Sequence, residues 1–276
     1  MSGTLYLVAT PIGNLGDLTK RAAETLASAD FIAAEDTRVT LKLLNHLGLK
    51  KQLVSYYAHN TAESGEKILA RILAGESCAL VTDAGMPAIS DPGEALVRLC
   101  TDSGVSVTAV PGACAAVTAL ALSGLPTGRF TFEGFLSTAR KSRFEHLRSL
   151  RDEKRTMIFY EAPHKLLPTL KDMLETFGDR PVSISREMTK IYEETLRTTL
   201  AEAVAHFEAV PPRGEFVLVI AGAKAADTPA TALEDALEIV GGYRGAGMSL
   251  KDAVKKVAAE TGYSRNVLYE AALGRS

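Results

Sequence analysis

The 276-residue chain has no tryptophan, only 6% aromatic residues, three cysteines and a formal net charge of −2. So few aromatics argue against a base-stacking platform as the main binding device. Near-neutral charge excludes polyanion binding by bulk attraction, so any nucleic-acid contact must come from a local basic patch. Cys78, Cys100 and Cys114 are isolated, odd in number and set in apolar surroundings. That pattern predicts reduced, buried thiols rather than disulfides or a zinc site. No paired His/Cys/Asp spacing is present, so no metal is expected. There is no charged-then-apolar leader and no apolar run long enough to span a bilayer, which predicts a soluble, cytoplasmic protein.

What is present is a recurring strand–loop–helix pattern. Apolar runs at 4–9, 31–34, 53–57, 78–81 and 105–110 read as strands, each followed by a helical stretch. Five such repeats predict a mostly parallel, doubly wound α/β sheet. The loop after the first strand, 10–17, spaces its glycines G-x-x-G with Pro11 at the turn, so it is not a dinucleotide fingerprint. The P-loop pattern is also absent. The central stretch is LVTDAGMPAISDPG, Leu80 to Gly93. There an apolar strand breaks into a loop with two Gly, two Pro and two Asp before a helix resumes at Glu94. Loops at the carboxyl ends of strands in open α/β sheets are where ligands bind. A helix-capping turn with Asp91 near the N-cap is the plainer reading of the same residues.

The segment 123–128 reads as a boundary, giving an N-terminal α/β domain over 1–123. Strands are expected at 130–135, 156–160, 181–186, 194–198 and 215–220, with helices at 143–150, 164–176 and 200–207. They predict a second α/β domain, 128–223, with a mixed sheet. A polar Ala/Pro linker over 223–229 leads to a helical tail, 230–276, whose helices at 232–239, 250–259 and 265–273 outline a helix-turn-helix.

Several motifs occur together and in order: Val8 to Asn14, Glu35-Asp36-Thr37-Arg38, Thr82 to Gly93, Val110-Pro111-Gly112, and Phe159 to His164. Arg186 to Lys190 with Tyr192-Glu193-Glu194, and Arg213 to Phe216, continue the series. Over essentially the whole chain this resembles the tetrapyrrole-methylase superfamily and, within it, the branch that methylates small-subunit ribosomal RNA. The resemblance implies two α/β domains with S-adenosylmethionine in the cleft between them, usually as a homodimer. It also implies methyl transfer to the ribose 2′-oxygen of a cytidine in the decoding region of 16S rRNA, within the small subunit. Carried over by motif, the cofactor pocket comprises Pro11, Asp83, Ala84, Gly85, Ile89, Cys114, Ala115, Tyr160 and Glu161. Cys114 and Met86 stand where tetrapyrrole-modifying relatives often have a hydroxylated residue and an Asp, which suits the RNA branch better.

Methyl transfer from a sulfonium is an in-line displacement in which the protein chiefly aligns the nucleophile and excludes water. A ribose hydroxyl gains from a general base. Glu35 and Asp36, at a strand's carboxyl end, are the candidates, with Arg38 holding a phosphate or orienting a carboxylate. Capping for Asp36 and a surface ion pair for Glu35 and Arg38 are the structural alternatives. His59 and His164 also fall in the motifs, though an isolated His is more often a packing residue. The basic run from Ala139 to Arg155, with Arg140, Lys141 and Arg143, predicts a phosphate-contacting strip that Lys165, Arg186 and Lys190 extend. Two other readings remain open: a small-molecule methylase acting on a corrin precursor, and a non-catalytic nucleic-acid-binding protein using the tail.

Overall fold

The computed structural model describes residues 2–57, 61–223 and 232–273. His59 and most of the 223–229 linker lie outside the described residues, as does the start of the 230–276 tail. Residues 1–223 form one compact unit and 224–276 another. The first half of the larger unit alternates strand and helix. The order is β1 (Thr4–Val8), α1 (Lys20–Ser28), β2 (Phe31–Ala34), α2 (Thr37–His46), β3 (Gln52–Ser55), α3 (Thr61–Leu73) and β4 (Cys78–Val81). It continues through α4 (Gly93–Asp102) and β5 (Ser106–Val110) to α5 (Ala115–Leu122). The strands assemble in the order β3-β2-β4-β1-β5, all parallel. β2 and β4 are buried along their whole length. Their alternate side chains enter two cores, as a sheet covered on both faces requires. Phe31, Ala33, Cys78 and Leu80 meet Ile68, Ile72 and Leu96 on one face. Ile32, Ala34, Ala79 and Val81 meet Leu26 and Leu44 on the other.

The second half runs β6 (Phe130–Phe135), α6 (Arg140–Ser149), β7 (Thr156–Glu161), α7 (Pro163–Phe177), β8 (Pro181–Arg186), β9 (Glu194–Thr199), α8 (Leu200–Ala209) and β10 (Phe216–Ile220). Its sheet, β6-β7-β10-β8-β9, is mixed: β6 and β7 are parallel and the remaining pairs antiparallel. In β10, Phe216, Leu218 and Ile220 pack into the core beneath α7 and α8. Val217 and Val219 face the opposite way, onto Ala116, Ala119 and Leu120 of α5. α5 is therefore the element that ties the halves together. It follows a strand of the first sheet yet covers a face of the second, and its small residues permit that close approach.

The tail unit holds α9 (Leu233–Gly245), α10 (Leu250–Thr261) and α11 (Arg265–Leu273) around a core of Val240, Val254, Val257 and Leu268. Ser249 caps α10, and Gly262, at φ +82°, ends it in the left-handed conformation. Its described helices carry Arg244, Lys251, Lys255, Lys256 and Arg265 against Glu234, Asp235, Glu238, Asp252, Glu260 and Glu270, so the unit is not a basic module. Among the described residues no helix is long and apolar enough to cross a membrane.

Candidate active site

A cavity of about 680 Å³ opens between the carboxyl ends of the first sheet's strands and the strand ends of β6, β7, β10 and β8 in the second sheet. From the first half come Ile12 after β1, Glu35 after β2, the loop after β4, and Cys114-Ala115 at the start of α5. From the second come Phe135, the Tyr160–His164 segment, Glu187, Met188, Lys190 and Glu215. The volume is in the range of small-molecule sites. The first-sheet residues all sit where α/β sheets bind ligands.

The loop after β4 is held by short-range bonds. Thr10 and Gly85 exchange backbone hydrogen bonds at 2.9 and 3.1 Å, pinning the loop to the end of β1. Gly85 takes φ +88°, where a side chain is disfavoured. Asp91 Oδ1 accepts from the amides of Ala88 (2.8 Å) and Gly93 (2.9 Å). Asp91 Oδ2 is buried without a hydrogen-bond partner. Burial, ahead of any charge, pushes the Asp91 carboxyl above its usual range. Gly93 is helical, so left-handed freedom is not its reason: a Cβ there would lie 2.9 Å from the Ala88 nitrogen and from Asp91 Oδ1. Ala88 and Ser90 take positive φ in this loop, and Glu187 and Thr189 in the β8–β9 loop across the cavity. They are the four such non-glycine residues described, each at a cost of about 1–2 kcal/mol. Strain of this kind concentrates at functional sites.

Two carboxylates face the cavity together. Thr82 Oγ1 donates to Glu35 Oε2 at 2.6 Å, and the Asp36 amide donates to Asp83 Oδ1 at 3.1 Å. Partial burial, then the charge of Glu35, raises the Asp83 pKa. Asp36 takes the capping place that the sequence offered as its alternative. Its Oδ1 accepts from the Arg38 amide at the start of α2, and its carboxylate pairs with the Arg38 guanidinium at 2.6 Å. These bonds hold its carboxyl at about 2, and neither Asp36 nor Arg38 lines the cavity. Glu35 and Asp83 are the two carboxylates that line the cavity side by side from the ends of β2 and β4.

Of the residues expected at the cofactor, Asp83, Ala84, Gly85, Ile89, Cys114, Ala115, Tyr160 and Glu161 line the cavity; Pro11 does not, and Ile12 takes its place. Tyr160 Oη accepts from the Ala116 amide at 3.1 Å, joining β7 to the first turn of α5, and burial pushes its phenol up to about 12. Glu161 is almost wholly enclosed, accepting from Thr169 Oγ1 at 2.6 Å and pairing with Lys165 at 2.9 Å. Cys78 and Cys100 are core thiols, whereas Cys114 is only half-buried, contrary to the expectation for all three. Sequence reasoning did not name Thr82, Phe135, Glu187, Met188 and Glu215 as cavity residues. All but Phe135 lie within the quoted motifs, so the available signal was membership of a motif rather than chemical type.

The basic strip is smaller than expected. Arg143 is 7% exposed; it pairs with Asp172 at 2.6 Å and also donates to the Ser137 carbonyl, so it is a core residue. Lys165 is bound to Glu161 and the Leu136 carbonyl. Lys190 is bound to Glu187 and Glu215, both at 3.0 Å. Arg186 lies 3.8 Å from Glu194. Arg140 lies 3.6 Å from both Asp172 and Glu175. What remains is the outer face of α6, where Arg148 joins Arg140 over the Phe144 ring, at 5.5 and 4.8 Å, beside exposed Lys141. Among the described residues no three His, Cys, Asp or Glu side chains are grouped to hold a metal ion.

Two sheets closing on a cavity of this kind define a class. Residues 4–204 match the family model described as Tetrapyrrole (Corrin/Porphyrin) Methylases. The fold is that of the Thermus thermophilus uroporphyrin-III C-methyltransferase solved with S-adenosyl homocysteine, at TM-score 0.56 and 21% identity over 79% of this chain and 97% of that one. Residues 246–276 match a model described as the RsmI C-terminal HTH domain. A protein of Synechocystis named ribosomal RNA small subunit methyltransferase I is 47% identical over 98% of both chains. Its namesake in Halalkalibacterium halodurans is 49% identical over 97% of this chain and 93% of its own. The chain belongs to the ribosomal RNA small subunit methyltransferase I family.

Proposed function

We propose that the protein transfers the methyl group of S-adenosylmethionine to the 2′-oxygen of a cytidine ribose in the decoding region of 16S rRNA, within the small subunit. The observation that carries this reading is the Glu35–Asp83 pair facing the cavity between the two sheets of a methylase of this family. The cavity suits the donor. Glu35, Asp83, Asp91, Glu161, Glu187 and Glu215 outnumber Lys190 along its walls, a balance that favours a cationic sulfonium over an anion. The start of α5, whose Cys114 cap makes no side-chain hydrogen bond, offers backbone donors to a carboxylate. Gly85, Ile12 and Tyr160 would enclose the remainder. When bound, the donor supplies an already activated methyl carbon.

The residues of the chain then have three tasks. The loops around Gly85 and Met188 exclude water from the reacting atoms. The Glu35–Asp83 pair takes the proton from the ribose hydroxyl as its oxygen attacks, and Thr82 orients Glu35 for that step. The α6 strip holds phosphates outside the cavity. We place the enzyme in the cytoplasm as a homodimer, following the family resemblance. The test is incubation of the purified protein with S-adenosylmethionine labelled in its methyl group and unmethylated small subunits, followed by digestion to nucleosides. Label in 2′-O-methylcytidine supports the reading. Label on a base, or transfer to a tetrapyrrole instead, overturns it.

A further inference from the structure

The β8–β9 loop contains a feature that folding alone does not explain. Glu193 N donates to the Lys190 carbonyl at 3.1 Å, closing a four-residue turn with Ile191 and Tyr192 at its centre. Turn centres favour Gly, Pro, Asn and Asp. Here they are two large apolar residues, 95% and 72% exposed. The base of the turn is nonetheless firmly held. Lys190 N donates to the Glu187 carbonyl, Thr189 N donates to Glu193 Oε2 at 2.6 Å, and Lys190 Nζ bridges Glu187 and Glu215. Glu187 and Thr189 are kept at positive φ to make this shape. Glu187, Met188 and Lys190 line the cavity, so the turn projects Ile191 and Tyr192 from its rim.

A rigid, strained turn that holds an aromatic ring in water beside a reaction cavity is organised for something that arrives from outside. The local charge says what kind of group that is. Glu187, Glu193, Glu194 and Glu215 surround the turn, and Lys190 and Arg186 are already bound to three of them. A phosphate would be repelled there. An uncharged nucleobase would not, and it has a face for Tyr192 to stack on. Bringing a ribose 2′-hydroxyl into a cavity requires its nucleotide to leave the neighbouring stack, and an aromatic side chain gives the freed base a new surface to stack on.

We propose that the Ile191–Tyr192 turn is the acceptor clamp: Tyr192 stacks on the unpaired base of the nucleotide whose ribose enters the cavity, and Ile191 fills the space beside it. This rests on the reading of the protein as an RNA 2′-O-methyltransferase. The test compares wild type, Tyr192→Ala, Tyr192→Phe and Ile191→Ser in steady-state methylation of small subunits, with S-adenosylmethionine affinity measured separately by calorimetry. Tyr192→Ala should raise KM for the subunit about tenfold, the effect of removing one base–aromatic stack. Donor affinity, melting temperature and sedimentation should be unchanged. Tyr192→Phe should restore the wild-type KM, and Ile191→Ser should show a smaller rise. Wild-type kinetics in Tyr192→Ala overturn the clamp alone. Altered sedimentation of that variant assigns the turn to a subunit contact and also overturns it. A wild-type protein that binds the donor but methylates no small subunit overturns the functional reading, and the clamp with it.

Discussion

Thr82 Oγ1 lies 2.6 Å from Glu35 Oε2, so this hydrogen bond, with that from the Asp36 amide to Asp83 Oδ1, joins the carboxyl ends of β4 and β2 beside the cavity. The bond fixes Glu35 beside Asp83 and leaves both carboxylates turned toward the site. Glu35→Gln and Asp83→Asn are therefore expected to lower kcat, with the acting base losing about 100-fold or more. Single-turnover assays at saturating donor and subunit read this directly. Thr82→Val should give a smaller loss, because it disturbs orientation and leaves the base in place.

The pH profile follows from the same pair. The base must be ionised, and burial together with the charge of Glu35 raises the Asp83 pKa above 3.8. Where Asp83 is the base, the acid limb of kcat/KM should therefore lie at a higher pH than an unperturbed aspartate would give, with the rate rising as pH increases through it. Asp83→Asn should abolish that limb or shift it. Asp36 behaves oppositely in stability. Its folded pKa of about 2 lies below 3.8, so its contribution is complete above 3.8 and lost as pH falls toward 2. Acid unfolding of Asp36→Asn should be correspondingly less steep in that window.

Arg143 and Asp172 form a buried pair at 2.6 Å. Arg143→Ala leaves Asp172 enclosed without its main partner and should cost about 3–5 kcal/mol in urea unfolding. It should affect RNA binding only through this instability. Lys141→Ala and Arg148→Ala, on the outer face of α6, should leave stability within about 0.5 kcal/mol. They should flatten the dependence of log K on log salt by roughly 0.7–0.9 for each phosphate no longer neutralised. An unchanged slope removes α6 from the RNA surface.

Tyr160 joins the halves of the larger unit by accepting from the Ala116 amide at 3.1 Å. Tyr160→Phe leaves that amide unpaired at the cavity wall and should destabilise the protein by about 1–3 kcal/mol. Donor affinity should fall with it, since Tyr160 and Ala115 both line the cavity. Thermal melts with and without S-adenosylmethionine separate the two effects.

The strands were legible because buried parallel strands are short apolar runs between turn residues, as 31–34 and 78–81 illustrate. The central loop was legible as an unusual backbone because so many Gly, Pro and Asp occur together, and it lines the cavity. Three things were not legible. Sequence placed α5 with the first domain, but its Ala116-Ala119-Leu120 face packs on the second sheet, an association that no local periodicity encodes. Arg143 reads as one more cation in a basic run, and only the position of Asp172 on α7 reveals it as buried. Asp36 and Glu35 are adjacent and chemically alike. The turn into α2 directs one to cap the helix and the other into the cavity.

The most direct test is an experimental structure of the protein with S-adenosylmethionine. The account predicts the donor between the two sheets, against Gly85, Ile12 and Tyr160, with its methyl carbon turned toward the side of the cavity that carries Glu35 and Asp83. A donor bound outside this cavity, or a methyl carbon sealed away from both carboxylates, would contradict it.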